Sequence, residues 1–346
     1  MPADRIGPGS LSELLAEARQ DGLFSAAAWA VGSGDRVLER GQLGTHLRED
    51  CGEGGADPIN ESALFDLASV TKPIVAIAAL ALAEKGILSL ADTVGELLPE
   101  FADATSAQVT LYGLLTHTSG LPGGVKLFRS CADAEAMFAA LATLPLRNEG
   151  DWEYSSQGFM LVGEIVARHS GMPLDRAVSR LVTGPLGMTD TVFNPSDANR
   201  CVATEWCPWR GELVRGQVHD ENAVVLGGVC GHAGLFAPLA DLVTLGQNLL
   251  STRDPVPLQA PMRRAMVDPV TGPLGWWPPT RGTAAGDLMS RHSYGHTGFT
   301  GTSLFIDPEL DRFFVLLTNR VHPTRENPRF AAVRRRFHNL AVTTFC

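Results

Sequence analysis

Basic residues are scarce in this chain. Among its 346 residues, 28 are Lys or Arg and 38 are Asp or Glu, so the formal net charge is −10 at pH 7. Nucleic acids and anionic membrane surfaces attract basic proteins, and this balance therefore argues against both as the main partner. With 45% hydrophobic and 19% charged residues, the composition is that of a globular protein rather than a disordered or fibrous one.

Segments that would direct the chain to a membrane are also lacking. The N-terminus has no basic region followed by an apolar core, which argues against a secretory signal. The apolar run from Ile74 to Ala83 is too short to span a bilayer, and Glu84 and Lys85 follow it directly. We therefore predict a cytoplasmic protein without a membrane partner.

Cysteine is infrequent, and its spacing forms no recognisable pairing pattern. Scattered cysteines in a long chain predict free thiols in a reducing compartment. The spacing of Cys201 and Cys207 is not that of a usual zinc site, and no paired His or Cys ligands lie beside them. We predict neither a metal site nor a cofactor. The six cysteines are Cys51, Cys131, Cys201, Cys207, Cys230 and Cys346.

Strand patterns occur near both ends of the chain, and helical patterns lie between them. Residues 25–41 predict a hairpin around a Gly-Ser-Gly-Asp turn. Residues 303–306 and 313–318 are apolar, β-like runs. This order predicts an α/β (α+β) fold, in which an antiparallel sheet is assembled from both chain ends, flanked by helices, and a helical lobe is inserted into it.

The predicted domain organisation is a single unit covering residues 1–346 with two lobes. The α/β lobe comprises about residues 1–66 and 240–346, and an all-helical lobe comprises about residues 67–239. A ligand pocket is expected in the cleft between the lobes. Residues 329–344 predict a closing amphipathic helix, on which Arg334, Arg335 and Arg336 form a solvated face.

Ser69-Val70-Thr71-Lys72 begins a long Ala/Ile/Leu-rich stretch. If Ser69 is the N-cap of a helix, Lys72 lies about one turn later on the same face, so that a hydroxyl and an amine project together. The unpaired N–H groups at a helix N-terminus favour an oxyanion. The alternative is an ordinary N-cap serine with a solvated lysine. The apolar stretch that follows, together with motifs further along the chain, favours a nucleophile beside a base.

Two further motifs follow in order. Trp152-Glu-Tyr-Ser-Ser156 directly precedes a predicted helix, and the hydroxyl of Tyr154 could relay protons if it lies near a lysine. Alternatively, Tyr154 is a core aromatic residue. Tyr294-Gly-His-Thr-Gly-Phe-Thr-Gly301 is β-like with regularly spaced glycines, which let a substrate approach the backbone closely and let an N–H contribute to an oxyanion hole. Its alternative is a glycine-rich turn.

Ser-x-x-Lys, Tyr-x-Ser and His-Thr-Gly, in this order, resemble the motifs of the serine β-lactamase and penicillin-binding-protein superfamily. The resemblance is strongest to its class C branch, with the related family VIII carboxylesterases and transesterases. It covers nearly the whole chain from about Ser25 and implies a β-lactamase-like fold. Other passages that resemble this group are residues 115–122, 231–236, 274–276 and 317–320.

The resemblance implies roles for the motif residues. Ser69 would be the acylated nucleophile, Lys72 its proton acceptor or hydrogen-bond partner, and Tyr154 the group that helps to deprotonate Ser69 and later activates the acceptor. The oxyanion hole would be formed by the backbone N–H groups of Ser69 and Phe299. Contacts to substrate are implied for the remaining motif residues, Ser156, His296, Thr297 and Gly298.

Two departures from the family pattern bear on the substrate. The second motif usually reads Tyr-x-Asn, but Ser156 replaces the amide here. The third usually reads Lys-Thr-Gly, but His296 replaces the permanent cation, which weakens binding of a β-lactam carboxylate near neutral pH. The resemblance therefore implies a serine esterase or amidase acting on a small molecule, without nucleic acid or membrane partners.

Alternatives to hydrolysis stay open. A transacylase would pass the acyl group to an amine or alcohol acceptor. The chain could also be a β-lactamase or D-Ala-D-Ala peptidase, or a catalytically inactive binding homologue. Aromatic residues near the motifs fit either an apolar pocket rim or packing between lobes: Trp152, Trp276, Trp277 and Phe128. We predict structural roles for His117 and His232.

Overall fold

A computed structural model describes residues 9–48, 57–147, 150–251, 257–268, 270, 272–278 and 283–346. The strands are β1 (Ala26–Gly32), β2 (Val37–Gly44), β3 (Phe65–Asp66), β4 (Val192–Phe193), β5 (Trp206–Cys207), β6 (Glu212–Leu213), β7 (Leu235–Ala237), β8 (Tyr294–Thr297), β9 (Ser303–Asp307) and β10 (Arg312–Thr318). The helices are α1 (Leu11–Gln20), α2 (Thr71–Glu84), α3 (Val94–Leu97), α4 (Leu111–Leu115), α5 (Ala134–Ala142), α6 (Ser156–Ser170), α7 (Leu174–Val178), α8 (Gly184–Leu186), α9 (Glu221–Val225), α10 (Leu239–Leu250), α11 (Ala260–Met266) and α12 (Phe330–Phe345).

The main sheet joins both ends of the chain. Within the described ranges it has five strands in the order β2-β1-β10-β9-β8, and every neighbouring pair is antiparallel. Trp29 of β1 lies opposite Leu316 of β10, and Phe314 of β10 lies opposite Phe305 of β9. The predicted α/β architecture, with a sheet assembled from distant segments, is confirmed.

Helices cover both faces of the sheet at the central strands β1 and β10, which explains why these two strands are apolar on both sides. Side chains alternate along β1 and β10, so Trp29 and Leu316 pack in the cluster that contains α1 and α12. Ala28 and Val315 point to the opposite face, where α10 packs. Because neither face is solvated, the strands read as continuous hydrophobic runs rather than as alternating ones.

Helix α2 runs through the main core. Its residues from Thr71 to Leu82 are all buried, and α6 packs against it. A helix that is apolar on every side must be surrounded by protein, as the sequence of the 74–83 stretch indicates. Its first turn, which carries Lys72, is therefore held rigidly.

The segment between residues 67 and 239 contains short strands besides its helices. β3, β7 and β4 form a three-stranded sheet, and β5 pairs with β6. An all-helical insertion is therefore too simple a description of this segment. Two- and three-residue strands are too short to produce an alternating pattern, so the sequence does not reveal them. The predicted lobe boundaries near residues 66 and 240 stay a prediction.

Disulfides and membrane spans are both missing from the part of the chain that the structure describes. Cys131, Cys201, Cys207, Cys230 and Cys346 are free thiols, whereas Cys51 lies outside the described residues. No helix of the described residues is long and apolar enough to cross a bilayer.

The prediction of three solvated arginines on the last helix is wrong for one of them. Arg335 and Arg336 are exposed, but Arg334 is buried and donates a hydrogen bond from Nη2 to the Gly298 carbonyl at 3.0 Å. Three consecutive residues span about 200° around a helix, so they cannot all face solvent when one side is packed. Arg334 therefore lies beside the third motif.

Asn319 should be a major determinant of stability. Its Oδ1 accepts the N–H groups of Ser25 and Ala26, and its Nδ2 donates to Ser25 Oγ and the Ala203 carbonyl, all within a buried site. We expect Asn319→Ala to lower the free energy of unfolding by about 3 kcal/mol, because buried partners lose their hydrogen bonds. Urea denaturation measures this. The exposed Asn199→Ala is the control and should change stability by less than about 0.5 kcal/mol; equal effects would contradict the assignment.

Candidate active site

Ser69 lies in a tight turn directly before α2. The turn is a 3₁₀ segment, Ala68–Val70, and Val70 is the N-cap of α2. The expectation that Ser69 itself caps the helix is therefore wrong. Ala68 has a φ of 47°, an uncommon value for alanine, and its N–H donates to Asp66 Oδ1 at 2.7 Å. This carboxylate holds the strained backbone that presents Ser69.

Three predicted side chains meet at the Ser69 hydroxyl. Lys72 Nζ donates to Ser69 Oγ at 3.0 Å, and Tyr154 Oη donates to the same oxygen at 2.8 Å. Ser69 and Tyr154 are half-buried, whereas Lys72 is fully buried. The segments that carry Ser69 and Tyr154 are 85 residues apart in sequence, so the fold brings together the groups that the motifs single out.

Lys72 has two further hydrogen-bond acceptors. Its Nζ donates to the His232 carbonyl at 3.1 Å and to Ser156 Oγ at 3.4 Å. The ring of Tyr154 lies 4.8 Å from Nζ, within range of a cation–π contact. The contact with His232 was not predicted, because a backbone carbonyl leaves no signal in residue identity.

The His232 side chain has polar contacts with two other side chains. Its Nδ1 is 2.9 Å from Cys230 Sγ, and its Nε2 is 2.9 Å from Asp220 Oδ1. Burial would lower the pKa of His232, but Cys230 and Asp220 together raise it to about 10. Burial likewise opposes ionisation of Asp220, but His232 brings its pKa well below the usual range. The pair is therefore ionic, and it fixes the backbone that faces Lys72.

Two threonines hydrogen-bond the segment of the third motif to the turn that carries Ser69. Thr300 Oγ1 donates to the Asp66 carbonyl at 2.7 Å, and Thr302 Oγ1 donates to the Leu67 carbonyl at 2.9 Å. Gly298 fits against this turn because a Cβ there would lie 2.4 Å from the Leu67 oxygen. Phe299 is thereby held at the same opening as Ser69.

Two backbone N–H groups at this opening are available to a ligand. Within the described ranges, neither the Ser69 nor the Phe299 N–H donates to a protein acceptor. Both residues line the same cavity. Free N–H groups that converge on one point can stabilise the negative charge of a tetrahedral intermediate.

The opening widens into two connected spaces. The larger, of about 470 Å³, is lined by Tyr154, Trp277, Thr297, Gly298 and Arg334, among others. The smaller, of about 230 Å³, is lined by Phe128, Lys126 and Gln157, among others. Ser69, Ser156, Asp220 and Phe299 border both spaces. In the described residues, no group of three or more His, Cys, Asp or Glu side chains could hold a metal ion.

His296 does not reach the cavity, contrary to the expectation of a substrate contact. Its ring is fully buried, its Nδ1 lies 2.8 Å from the Thr297 carbonyl, and the Trp277 ring packs 4.5 Å from it. Burial, with a contribution from Lys72, lowers its pKa well below the usual value. His296 is therefore neutral. Because the Trp277 ring covers it, His296 packs under the strand and does not face the cavity.

The expected aromatic rim is only partly present. Phe128 lines the smaller space, and Trp277 lines the larger one. Trp276 is 2% exposed and packs edge-on against Tyr294 in the core, so its assignment to the pocket is wrong. Trp152 lies behind Trp277, with ring centroids 6.4 Å apart, and is not among the cavity-lining residues. Trp277 forms an isolated bridge with Gly295 next to the third motif, whereas Trp276, in the preceding bend, faces the core.

The chain matches a known protein family over most of its length. A family model described as "Beta-lactamase" matches residues 11–336. The chain belongs to the beta-lactamase family. This confirms the resemblance inferred from the three motifs.

Related proteins within this family carry several activities by name. A curated relative from Escherichia coli (strain K12), named "Putative D-alanyl-D-alanine carboxypeptidase", is 32% identical in an alignment of 312 residues, and the match covers 77% of this chain and 71% of that protein. The solved structure of "EstCE1, a hydrolase with promiscuous acyltransferase activity" matches with a TM-score of 0.74 and 21% identity, covering 95% of this chain and 97% of that one. A class C beta lactamase from Rhodobacter sphaeroides matches with a TM-score of 0.75 and 21% identity, covering 97% and 99%.

These matches establish a beta-lactamase-like fold and an enzyme of the beta-lactamase family. At 18–23% identity, several structural matches share only the fold. The beta-lactamase family thus fixes the class of chemistry, and the choice of substrate depends on the cavity described above.

His117 should make the protein sensitive to acid. It is buried at the back of the site, and burial, together with Lys72, lowers its pKa to about 3. The unfolded chain therefore binds one more proton than the folded one between about pH 6.5 and pH 3, and stability falls as the pH drops through this range. We expect His117→Asn, which tolerates the local φ of 59°, to remove up to about 1.4 kcal/mol of this loss per pH unit.

Urea unfolding at several pH values between 7 and 4 measures this difference. The control is the exposed Asn199→Ala, which removes no titratable group. Wild type and control should lose stability in parallel. If the free energy of unfolding of His117→Asn falls with pH as steeply as that of wild type, the expectation is contradicted.

Proposed function

We propose that this protein cleaves an ester or amide of a small molecule through an acyl-enzyme on Ser69. The observation that carries the proposal is the double hydrogen bond to Ser69 Oγ, from Lys72 Nζ at 3.0 Å and Tyr154 Oη at 2.8 Å. A serine hydroxyl becomes a nucleophile when an adjacent group can take its proton. Lys72 Nζ and Tyr154 Oη both lie within hydrogen-bond distance of Oγ, so either is placed to exchange this proton.

In the acylation step, Ser69 Oγ attacks the substrate carbonyl carbon. The Oγ–H proton passes to whichever of Lys72 and Tyr154 lacks its own, and the carbonyl oxygen becomes an oxyanion at the Ser69 and Phe299 N–H groups. The bond to the leaving group then breaks, and the leaving group takes up the proton. The product of this step is an ester between Ser69 and the acyl group.

In the second step, an acceptor attacks the acyl-enzyme. Tyr154 or Lys72 takes the acceptor's proton, the Ser69–acyl bond breaks, and Oγ recovers a proton from the same network. With water as the acceptor, the product is a free acid. Small esters and amides fit a cavity of about 470 Å³.

Acyl transfer is the second candidate. The two spaces on either side of Ser69 leave room for an acceptor beside the acyl group, and the structurally similar EstCE1 is described as a hydrolase with promiscuous acyltransferase activity. An amine or alcohol bound in the second space would compete with water. Hydrolysis is preferred because the cavity opens to solvent at Ser69.

Peptidase or β-lactamase activity and a purely binding role receive less support. The curated relative's name refers to D-alanyl-D-alanine carboxypeptidase, but His296 is neutral and does not line the cavity. An inactive homologue would not need an accessible Ser69 between two proton-transfer groups.

Covalent labelling tests the nucleophile. A fluorophosphonate probe should modify Ser69, identified by peptide mass spectrometry, and Ser69→Ala should abolish the adduct. Lys72→Met and Tyr154→Phe should slow labelling and hydrolysis of p-nitrophenyl acetate by about 10²-fold or more, because each removes a proton-transfer partner.

Matched controls are the exposed Lys85→Met and the more distant Tyr112→Phe, which should label within twofold of wild type. A label on another residue, or equal rates in all variants, would exclude the proposed mechanism.

The acceptor is tested by product partition. With p-nitrophenyl butyrate and an added primary amine or alcohol, a hydrolase releases butyric acid at a rate independent of the acceptor. A transacylase gives an amide or ester whose share rises with acceptor concentration. We expect acid as the main product. Transfer exceeding hydrolysis at millimolar acceptor would favour the second candidate, and faster cleavage of a chromogenic cephalosporin than of the ester would favour a β-lactamase.

A further inference from the structure

Arg334 is a buried cation beside the cavity without an acidic partner. It is 9% exposed, lines the larger space, and makes no ion pair with any residue that the structure describes. A buried guanidinium without a carboxylate is costly, and such groups persist where the charge has a use. Burial, together with Arg320, lowers its pKa to about 9, so it stays charged at neutral pH.

The guanidinium of Arg334 is hydrogen-bonded to the candidate oxyanion hole. Its Nη2 donates to the Gly298 carbonyl at 3.0 Å. This carbonyl and the N–H of Phe299 belong to the same peptide group. A charged donor on the oxygen draws electron density from the amide and makes its N–H a stronger donor.

Neighbouring contacts hold this peptide in one orientation. The Gly301 N–H also donates to the Gly298 carbonyl, at 3.1 Å. On the next peptide, Arg320 Nε donates to the Phe299 carbonyl at 2.7 Å, and its guanidinium lies 4.4 Å from the Phe299 ring. The Phe299 N–H itself has no acceptor among the described residues. The carbonyl oxygen of the Gly298–Phe299 peptide is thus held by two hydrogen bonds, whereas its N–H has no acceptor among the described residues.

We propose that Arg334 is a positioning residue that orients and polarises the Gly298–Phe299 peptide, so that the Phe299 N–H stabilises the oxyanion formed at Ser69. This inference rests on the proposed function and extends it to a residue from the last helix, which carries none of the three motifs. The charge acts through the peptide, whatever the charge of the substrate.

A neutral ester tests this directly. With p-nitrophenyl acetate, Arg334→Gln should lower kcat/KM by about 10- to 100-fold, less than the 10²–10³-fold typical for deletion of a whole oxyanion-hole donor. KM should change by less than about twofold, because the loss affects the transition state. Arg334→Lys keeps the charge without the planar fork and should be intermediate. The matched control is Arg336→Gln, exposed on the same helix, which should equal wild type.

A spectroscopic measurement separates this role from a structural one. A trifluoromethyl ketone forms a hemiketal with Ser69 whose hydroxyl ionises to an oxyanion, and ¹⁹F NMR follows this ionisation with pH. Because a weaker oxyanion hole disfavours the ionised form, Arg334→Gln should move the ionisation about one pH unit upwards. Arg336→Gln should leave it in place.

The outcomes are distinct. If wild type forms neither the hemiketal nor a fluorophosphonate adduct on Ser69, the proposed function fails. If Ser69 reacts but Arg334→Gln cleaves the neutral ester like wild type, the inference fails, and selective loss of activity on carboxylate-bearing esters would assign Arg334 to ligand binding instead. A lower rate with unchanged hemiketal ionisation would reduce its role to packing. If Arg334→Gln does not fold, Arg334→Lys decides between the same outcomes.

Discussion

The active site depends on hydrogen bonds to two buried residues, Asp66 and Leu67. The Asp66 carboxylate accepts the N–H groups of Ala68 and His219, each at 2.7 Å. The carbonyls of Asp66 and Leu67 accept the hydroxyls of Thr300 and Thr302. Segments up to 235 residues apart in sequence are thereby fixed to the turn that carries Ser69. Burial raises the pKa of Asp66, and the backbone N–H groups of His219 and Ala68 oppose that shift. Without these hydrogen bonds, Ser69 and the Phe299 N–H would not be held at the same opening.

Burial of Lys72 is tolerable because its donors are matched. An ammonium has three N–H donors, and the structure provides three oxygens, from Ser69, Ser156 and His232. No buried donor is then left unsatisfied, which would otherwise cost roughly 1–3 kcal/mol. Burial, with a contribution from Lys72, lowers the pKa values of His117 and His296, so both stay neutral beside it. This explains how an apolar helix can begin with a lysine.

Much of the fold and the centre of the site were predictable, for identifiable reasons. The hairpin of β1 and β2 and the strands β9 and β10 follow from side-chain identity and periodicity. The convergence of Ser69, Lys72 and Tyr154 was predicted from the resemblance of the three ordered motifs to a known family. The missed features depend on information that residue identity does not carry. The His232 carbonyl is a backbone group, the three-stranded β3-β7-β4 sheet has strands of two or three residues, and the inward direction of Arg334 depends on which side of α12 is packed. Trp276 and Trp277 are the same residue type, but the side chain of Trp276 points into the core and that of Trp277 lines the cavity. Residue identity does not show which of two neighbours points which way.

The two departures from the family motifs acquire a different meaning once the contacts are known. Ser156 reaches Lys72 only at 3.4 Å, a long hydrogen bond, but the His232 carbonyl at 3.1 Å provides a second anchor, fixed by the ionic pair of His232 with Asp220. His296 is neutral, yet positive charge is still present near the third motif, because Arg334 brings it from α12 to the Gly298 carbonyl. In each case a polar group outside the motif lies close to the residue that departs from the family pattern. A motif therefore fixes the positions at which chemistry occurs, whereas the electrostatics at those positions depend on the packing around them.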